Sequence, residues 1–448
     1  MSVSRASMSC SQCGYRASQW RGRCPQCGAW DSFVREAPAA RAAGPAAGGL
    51  PMAAAPVALA GIEAAAHDRL PTGLAELDRV LGGGLVRGSV VLLAGEPGAG
   101  KSTLCLQAAA GLEARGLRVL LVCGEESVDQ VAARARRVGG IHTTQAFSGT
   151  RIDEVLTHAE GFDVVVVDSI QTMSDPELTG EPGSVTQVRG CASALARHAR
   201  ESSVALLLVG HVTKDGAIAG PRVLEHLVDA VLTFEGDRGQ SLRTLRSAKN
   251  RFGGTAELGV FEMKAGGLVE VADASRLFLA DRHTGVPGSA VGCLLEGRRA
   301  VALEIQSLVA PNDGPHPRRV AHGLERDRLE VLAAVLQQRA GIDLSKSDVF
   351  VRVAGGFRAD EPAVDLALAL ALASSMTGAP LPSDLVAIGE VGLAGDVRAV
   401  PGVGTRLREC ARLGLRRAVV GRSAGLHDGL EVHAVAELRE ALDLLVRG

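Results

Sequence analysis

Residues 95–103 of this 448-residue chain read GEPGAGKST, the full G-x-x-x-x-G-K-[ST] pattern, directly after the apolar run 89–94 (SVVLLA). No other feature constrains the fold as tightly. The run must be a buried strand, the glycines a tight turn, and Lys101 the start of a helix over 101–115. Only that geometry turns consecutive backbone N–H groups toward one anion. Gly95, Gly98 and Gly100 let the backbone wrap the phosphates, and Glu96, Pro97, Ala99 and Thr103 complete the loop. Lys101 is expected to reach the β- and γ-phosphates and Ser102 to ligate Mg²⁺.

Further apolar runs at 118–123 (RVLLVC), 163–168 (DVVVVD) and 204–210 (VALLLVG) alternate with helical stretches near 127–138 and 184–202. Continuous apolar runs mean strands covered on both faces. The expected fold class is therefore α/β, a doubly wound, largely parallel sheet. Strand-like segments follow at 228–235, 242–248 and 257–263. A second α/β region starts near 275, with helices expected at 324–339, 361–376, 402–413 and 436–446. The polar residues that end the strands fall where a P-loop fold does its chemistry. Asp168 closes VVVVD and is expected to hold the Mg²⁺ shell. Glu125 and Glu126 follow RVLLVCG, where a carboxylate can orient attacking water. Glu125 is the preferred base, and an acidic pair favoured by a helix N-terminus is the plainer alternative. His211 closes VALLLVGH, where it either contacts the γ-phosphate or merely ends the strand.

The front of the chain is different. Cys10-x-x-Cys13 and Cys24-x-x-Cys27 are ten residues apart, and Gly14 and Gly28 follow them. Two such turns present four thiolates to a tetrahedral Zn²⁺, and so short a segment needs the metal to fold. Two redox dithiols are the alternative. Trp20, Trp30, Arg16, Arg21 and Arg23 either form a binding face or, in the case of the tryptophans, cover the small core. The other cysteines, Cys105, Cys123, Cys191, Cys293 and Cys410, are scattered singly, as buried thiols rather than a disulfide framework. Of residues 37–66, 23 are Ala, Gly or Pro, the composition of a linker. The expected domains are a four-cysteine zinc finger at 1–35, a linker at 36–66, a P-loop domain at 67–275 and a second α/β domain at 276–448.

Hydrophobic residues make up 46% and charged residues 22%, which is ordinary for a globular chain. A net charge of −2 excludes a uniformly basic coat, so any contact with nucleic acid needs local positive charge. No long apolar run predicts a membrane span and the start has no apolar signal core, so a cytoplasmic location is expected. Between Arg238 and Ala256 stand Arg238, Arg243, Arg246, Lys249 and Arg251 with no acidic residue. The centre of that stretch, Lys249, Asn250, Arg251, Phe252 and Gly253, uses one of only five lysines in the chain. Two roles stay open: contact with nucleic-acid phosphates, or a cation entering a neighbouring subunit's nucleotide site.

In their order, CSQCG…CPQCGAW, GEPGAGKST, VVVVDSIQT, GHVTKDGAIAGPRVLEHLVD and KNRFG resemble the bacterial RadA (Sms) family of recombination proteins over essentially the whole chain. KNRFG is that family's own signature. The resemblance implies a RecA/DnaB-like core that hydrolyses ATP and assembles as a homohexamer on single-stranded and branched DNA. It also implies branch migration in RecA-mediated repair, a zinc module associated with RecA, and a C-terminal domain like the proteolytic domain of Lon. By position, Lys101 and Ser102 would bind nucleotide, and Lys249 to Gly253 would be needed for productive motor action.

Lon-type proteases carry a Ser–Lys dyad, the Ser in a Pro-Ser-Ala-Gly turn. The matching stretch here is Glu361-Pro362-Ala363-Val364-Asp365, and Arg406 falls at the position of the Lys. Ala has no nucleophile and Arg is not deprotonated, so this domain is expected to be a scaffold. The alternatives to a DNA-dependent ATPase are an ATP-gated, zinc-dependent RecA adaptor and a Lon-like protease.

Overall fold

The computed structural model describes residues 22–28, 30, 68–211, 224–236, 241–312, 314, 316–354, 357–422 and 429–446, with strand backbone alone at 8–10, 16–17 and 33–35 and no side chains beyond 443. Two compact units are present, Met1–Ala66 and His67–Gly448. The first contains a three-stranded antiparallel sheet in which Met8–Cys10 lies between Arg16–Ala17 and Phe33–Arg35.

The second unit holds two large sheets. The first is built from β1 (Val90–Gly95), β2 (Val119–Cys123), β3 (Gln145–Ser148), β4 (Val164–Asp168), β5 (Ala205–His211), β6 (Ala230–Glu235), β7 (Leu242–Asn250), β8 (Leu258–Lys264) and β9 (Gly267–Glu270). Their order is β9-β8-β7-β6-β1-β5-β4-β2-β3. Strands from β6 to β3 run parallel, and β7, β8 and β9 add an antiparallel wing.

The helices of this half are α1 (Ala75–Leu81), α2 (Lys101–Glu113), α3 (Val128–Val138), α4 (Ile152–His158) and α5 (Val185–Ser202). Alternate residues of β1 feed opposite cores. Val91 and Leu93 pack with Leu104 and Leu112 of α2. Val90, Leu92 and Ala94 pack with Val188, Cys191 and Leu195 of α5. Both faces are covered, which is why the strands carry no polar alternation. Register places His211 opposite Gly95, and Asp168 opposite both Cys123 and Val209. The carboxyl ends of β1, β5, β4 and β2 therefore line one crevice, the usual ligand position in an open α/β sheet.

The second sheet contains β10 (Ser289–Glu296), β11 (Arg299–Pro311), β12 (Arg319–His322), β13 (Ser347–Val353), β14 (Leu385–Ile388), β15 (Arg417–Gly421) and β16 (Glu431–Val435), in the order β12-β13-β11-β10-β14-β15-β16. Its helices are α6 (Ala274–Leu279), α7 (Arg326–Val335), α8 (Asp365–Thr377), α9 (Val403–Arg412) and α10 (Leu438–Val446). From Leu366 to Ala373 no residue of α8 is more than 1% exposed, so this helix, apolar all round, is the domain's centre. The helix expected over 324–339 ends instead at Val335 and widens into a π turn over Leu336–Ala340, closed by left-handed Gly341.

The two halves of this unit interlock. The expected boundary at 275 falls inside α6, whose Phe278 ring lies 5.3 Å from that of Phe357. Arg299 reaches back to Glu76 at 2.6 Å and to the carbonyls of Leu258, Val271 and Ala272. A side chain at Gly297 would place its Cβ 1.1 Å from the Ala256 oxygen, so only glycine permits this approach. Among the described residues, no helix is long and apolar enough to cross a membrane.

Candidate nucleotide site

The turn between β1 and α2 is possible only with glycine. Gly98 and Gly100 have φ of 83° and 109°, and a Cβ on Gly95 would lie 2.2 Å from the Phe234 oxygen. Lys101 is 4% exposed and spends its three protons inside the protein, on Gly95 O (2.8 Å), Glu96 O (3.0 Å) and His211 Nδ1 (3.2 Å). An ammonium only donates, so the imidazole accepts at Nδ1 and carries its proton at Nε2. That proton is donated to Glu125 Oε1 at 2.8 Å. Ser169 Oγ donates to the same oxygen at 2.5 Å. Asp168 accepts a hydrogen bond from Ser102.

These groups perturb one another. Burial lowers the affinity of Lys101 for its proton, opposed by the charges of Asp168 and Glu125. Burial pushes the Asp168 carboxyl above its ordinary range, against the Ser102 bond. Burial acts on Glu125 in the same direction, but the bonds from Ser169 and His211 outweigh it and hold this carboxyl low. The two carboxyls are thus pushed in opposite directions, Glu125 down by its hydrogen bonds and Asp168 up by burial. A cavity of about 50 Å³ opens beside Ser102, Glu125, Glu126 and Asp168. Hydroxyl and carboxylate oxygens are the hard donors that Mg²⁺ takes, so the residues fit that ion. Glu126 is tied at 2.6 Å to Arg134 of α3, away from the Lys101–His211–Glu125 chain.

Sequence reasoning missed two members of the site. Ser169, next to Asp168, was readable as a polar strand end. Arg243, named only as one cation of the acid-free stretch, is 5% exposed and donates to Ala99 O of the P-loop at 2.9 Å.

The acid-free stretch is not a free cationic strip within one chain. Arg246 pairs with Glu235 and Glu296. Lys249 caps the carbonyls of Glu225 (2.5 Å) and Val228 (2.8 Å), and Arg251 pairs with Asp229 at 3.2 Å. Asn250 donates to Leu81 O at the end of α1 and accepts from Phe252 N, while Arg69 binds Phe252 O. Gly253 packs with its Cα near Gly82. β7 and the turn after it bring these side chains beside other elements, where Arg246 and Arg251 meet carboxylates and Lys249 meets backbone carbonyls, which no local charge count reveals. Arg238 lies outside the described residues.

In the first unit, Gly28 N donates to Cys24 O at 2.9 Å with Gly28 at φ 75°, closing a knuckle around Cys24 and Cys27. Cys24 is 1% exposed. This turn fits thiolate ligation of a metal. The side chain of Cys10 and the whole of Cys13 lie outside the described residues. Trp30 is 72% exposed beneath the Arg23 guanidinium, 5.6 Å from its ring, so it does not cover a core. Trp20 and Arg21 lie outside the described residues, as does the side chain of Arg16.

At the C-terminal end, Ala363 is buried where the resemblance implies a nucleophile. Arg406, also fully buried, is held by both carboxylate oxygens of Glu361 and by Cys293 O at 2.6 Å. A methyl group and a paired guanidinium perform no acyl transfer. All five scattered cysteines are free and buried.

Fold and site together define a P-loop ATPase with an N-terminal zinc ribbon and a Lon-like C-terminal domain. Family models match residues 9–35 (rubredoxin metal binding domain), 59–217 (AAA domain) and 324–424 (subunit ChlI of Mg-chelatase). One solved ATPase domain aligns with 45% of this chain and 91% of its own, at 17% identity and a TM-score of 0.40. The chain is 42% identical to DNA repair protein RadA of Halalkalibacterium halodurans and 43% identical to that of Bacillus subtilis, each over 99% of both chains. It is 45% identical to that of Brucella abortus, over 95% of this chain and 93% of the other. The chain belongs to the RadA family of DNA repair proteins.

Proposed function

We propose that the chain is a DNA-dependent ATPase that drives branch migration of recombination intermediates during RecA-mediated strand exchange. One observation carries the ATPase part of this reading: Lys101, His211 and Glu125 form a continuous hydrogen-bonded chain from the P-loop to a carboxylate, beside the Ser102–Asp168 pair. The DNA repair names of the relatives support its direction.

ATP docks on the backbone from Gly95 to Thr103. Lys101 leaves the Gly95 and Glu96 carbonyls for the β- and γ-phosphates, since its donors are already gathered there. Ser102 and Asp168 hold Mg²⁺, which supplies positive charge to the phosphate oxygens when bound. Glu125 orients the attacking water. His211, bonded to both Lys101 and Glu125, registers whether the γ-phosphate is present. Glu126 keeps its partner Arg134 and has a lesser part. Lys249 and Arg251 act on DNA or on a neighbouring ATP site in a homohexamer, which requires Lys249 to exchange its two carbonyls for that partner. Cys10, Cys13, Cys24 and Cys27 hold Zn²⁺ in a module that serves RecA. The working domains are 1–35, 36–66, 67–275 and 276–448, and the location is cytoplasmic.

A branch-migration assay on a three-strand intermediate tests this, with wild type, Lys101→Ala and Lys249→Ala. Both variants are expected to fail, the second with ATP binding retained. DNA-repair activity left intact by Lys249→Ala favours the adaptor reading instead.

A further inference from the structure

Glu125 receives both of its bonds on one oxygen. His211 Nε2 and Ser169 Oγ donate to Oε1, at 2.8 and 2.5 Å. No described protein group bonds Oε2. Ser169 itself is unusually placed. It precedes the 3-10 turn Ile170–Thr172, where a serine ordinarily accepts a bond from the turn's own backbone. Its side chain makes no such cap. The Ser169 carbonyl is instead held by Thr172 N (3.3 Å) and Thr172 Oγ1 (2.8 Å), and the hydroxyl is spent on Glu125.

The neighbourhood is stiff. Ser169 is fully buried, so its hydroxyl is held in place beside a carboxylate that is itself 40% exposed. Gly124 N donates to Asp168 O at 2.7 Å. A Cβ on Gly124 would lie 2.0 Å from Thr172 Oγ1, so the turn that bears Glu125 rests directly on the turn that bears Ser169. A charge-assisted bond from a fixed donor orients a carboxylate that rotates freely when it has one partner.

We propose that Ser169 is a positioning residue for ATP hydrolysis: together with His211 it pins Oε1 of Glu125 and leaves Oε2 as the acceptor for the attacking water. The inference rests on Glu125 as the water-orienting group. Misplacing that oxygen slows the chemical step and leaves nucleotide binding alone.

The test is steady-state ATPase of the full-length protein with saturating single-stranded DNA and Mg²⁺, beside the affinity for a non-hydrolysable ATP analogue. Ser169→Ala is expected to lower kcat by about 10- to 100-fold and to change analogue affinity less than about twofold. Glu125→Gln is expected to be slower still, and the double variant no slower than Glu125→Gln alone, since Ser169 acts through that carboxylate. Ser169→Cys, close in size and a weaker donor, guards against misfolding and is expected to show the same split. A wild-type kcat in Ser169→Ala beside an inactive Glu125→Gln overturns the proposal and spares the base assignment. So does a loss that multiplies in the double variant, or one shared equally by kcat and analogue affinity. A wild-type rate in Glu125→Gln overturns the base assignment and this proposal with it.

Discussion

Replacing Glu361 with alanine removes the carboxylate that faces a fully buried arginine. Arg406 is 0% exposed and carries a guanidinium cation. Glu361 meets it with both oxygens, Oε2 at 2.9 Å from Nη1 and Oε1 against Nη2. The bonds to Pro401 O (3.1 Å) and Cys293 O (2.6 Å) remain in the variant, but neither carries a compensating charge. Leu295 N, which donates to Glu361 at 2.8 Å, also loses its acceptor. Breaking a buried pair by deleting one partner costs about 3–5 kcal/mol. Glu361 is 29% exposed, so water partly replaces it and the lower end applies. About 3 kcal/mol corresponds to roughly 100-fold in local opening. Hydrogen exchange of the full-length chain should show that loss of protection in α9 and β10, with α2 unchanged. Replacing both charges, Arg406→Met with Glu361→Leu, should restore most of it. Unchanged protection of α9 in Glu361→Ala would refute the claim that this pair holds α9 in place.

Two further outcomes follow from local chemistry. Glu113 accepts from Thr144 Oγ1 and from the backbone N–H groups of His142, Thr143 and Thr144, and although burial alone would raise it, these bonds lower its pKa from 4.5 to about 2. A depressed carboxyl stabilises the fold above its unfolded pKa and ceases to do so as pH falls toward the folded value. The gap in protection of 141–146 between wild type and Glu113→Gln should therefore close as pH falls from 4.5 toward 2; a gap independent of pH counts against it. Removing zinc should unfold the first unit, where both of the chain's tryptophans lie, so chelation should shift Trp fluorescence while basal ATPase persists. Freshly purified protein without one zinc per chain contradicts the four-cysteine assignment.

The P-loop core was legible because its physics is local. Apolar runs of strand length, glycines at fixed offsets and polar residues at strand ends each signal within a few positions. That is why Asp168, Glu125 and His211 were readable one at a time, and why the two-sided cores around β1 match its uninterrupted run. The rest depends on partners far along the chain. Lys249 reads as a free cation until β7 carries it beside Val228 O, and Arg243 reads as one more cation of that stretch until Ala99 O covers it. The boundary at 275 was placed by a change of pattern, whereas α6 packs by shape against Phe357. Ser169 reads as a polar residue at a strand end, but a serine there ordinarily caps the next turn, so its bond to Glu125 is not legible.

The central claim is that the chain of groups running from Lys101 through His211 to Glu125 hydrolyses ATP in response to DNA. Its most direct test is the ATPase rate of wild type and Lys101→Ala, each with and without single-stranded DNA. The account predicts a wild-type rate that rises with DNA and a Lys101→Ala rate reduced by about 100-fold or more, the scale of losing one preorganised charge partner. Equal wild-type rates with and without DNA, or near-normal turnover by Lys101→Ala, would contradict it.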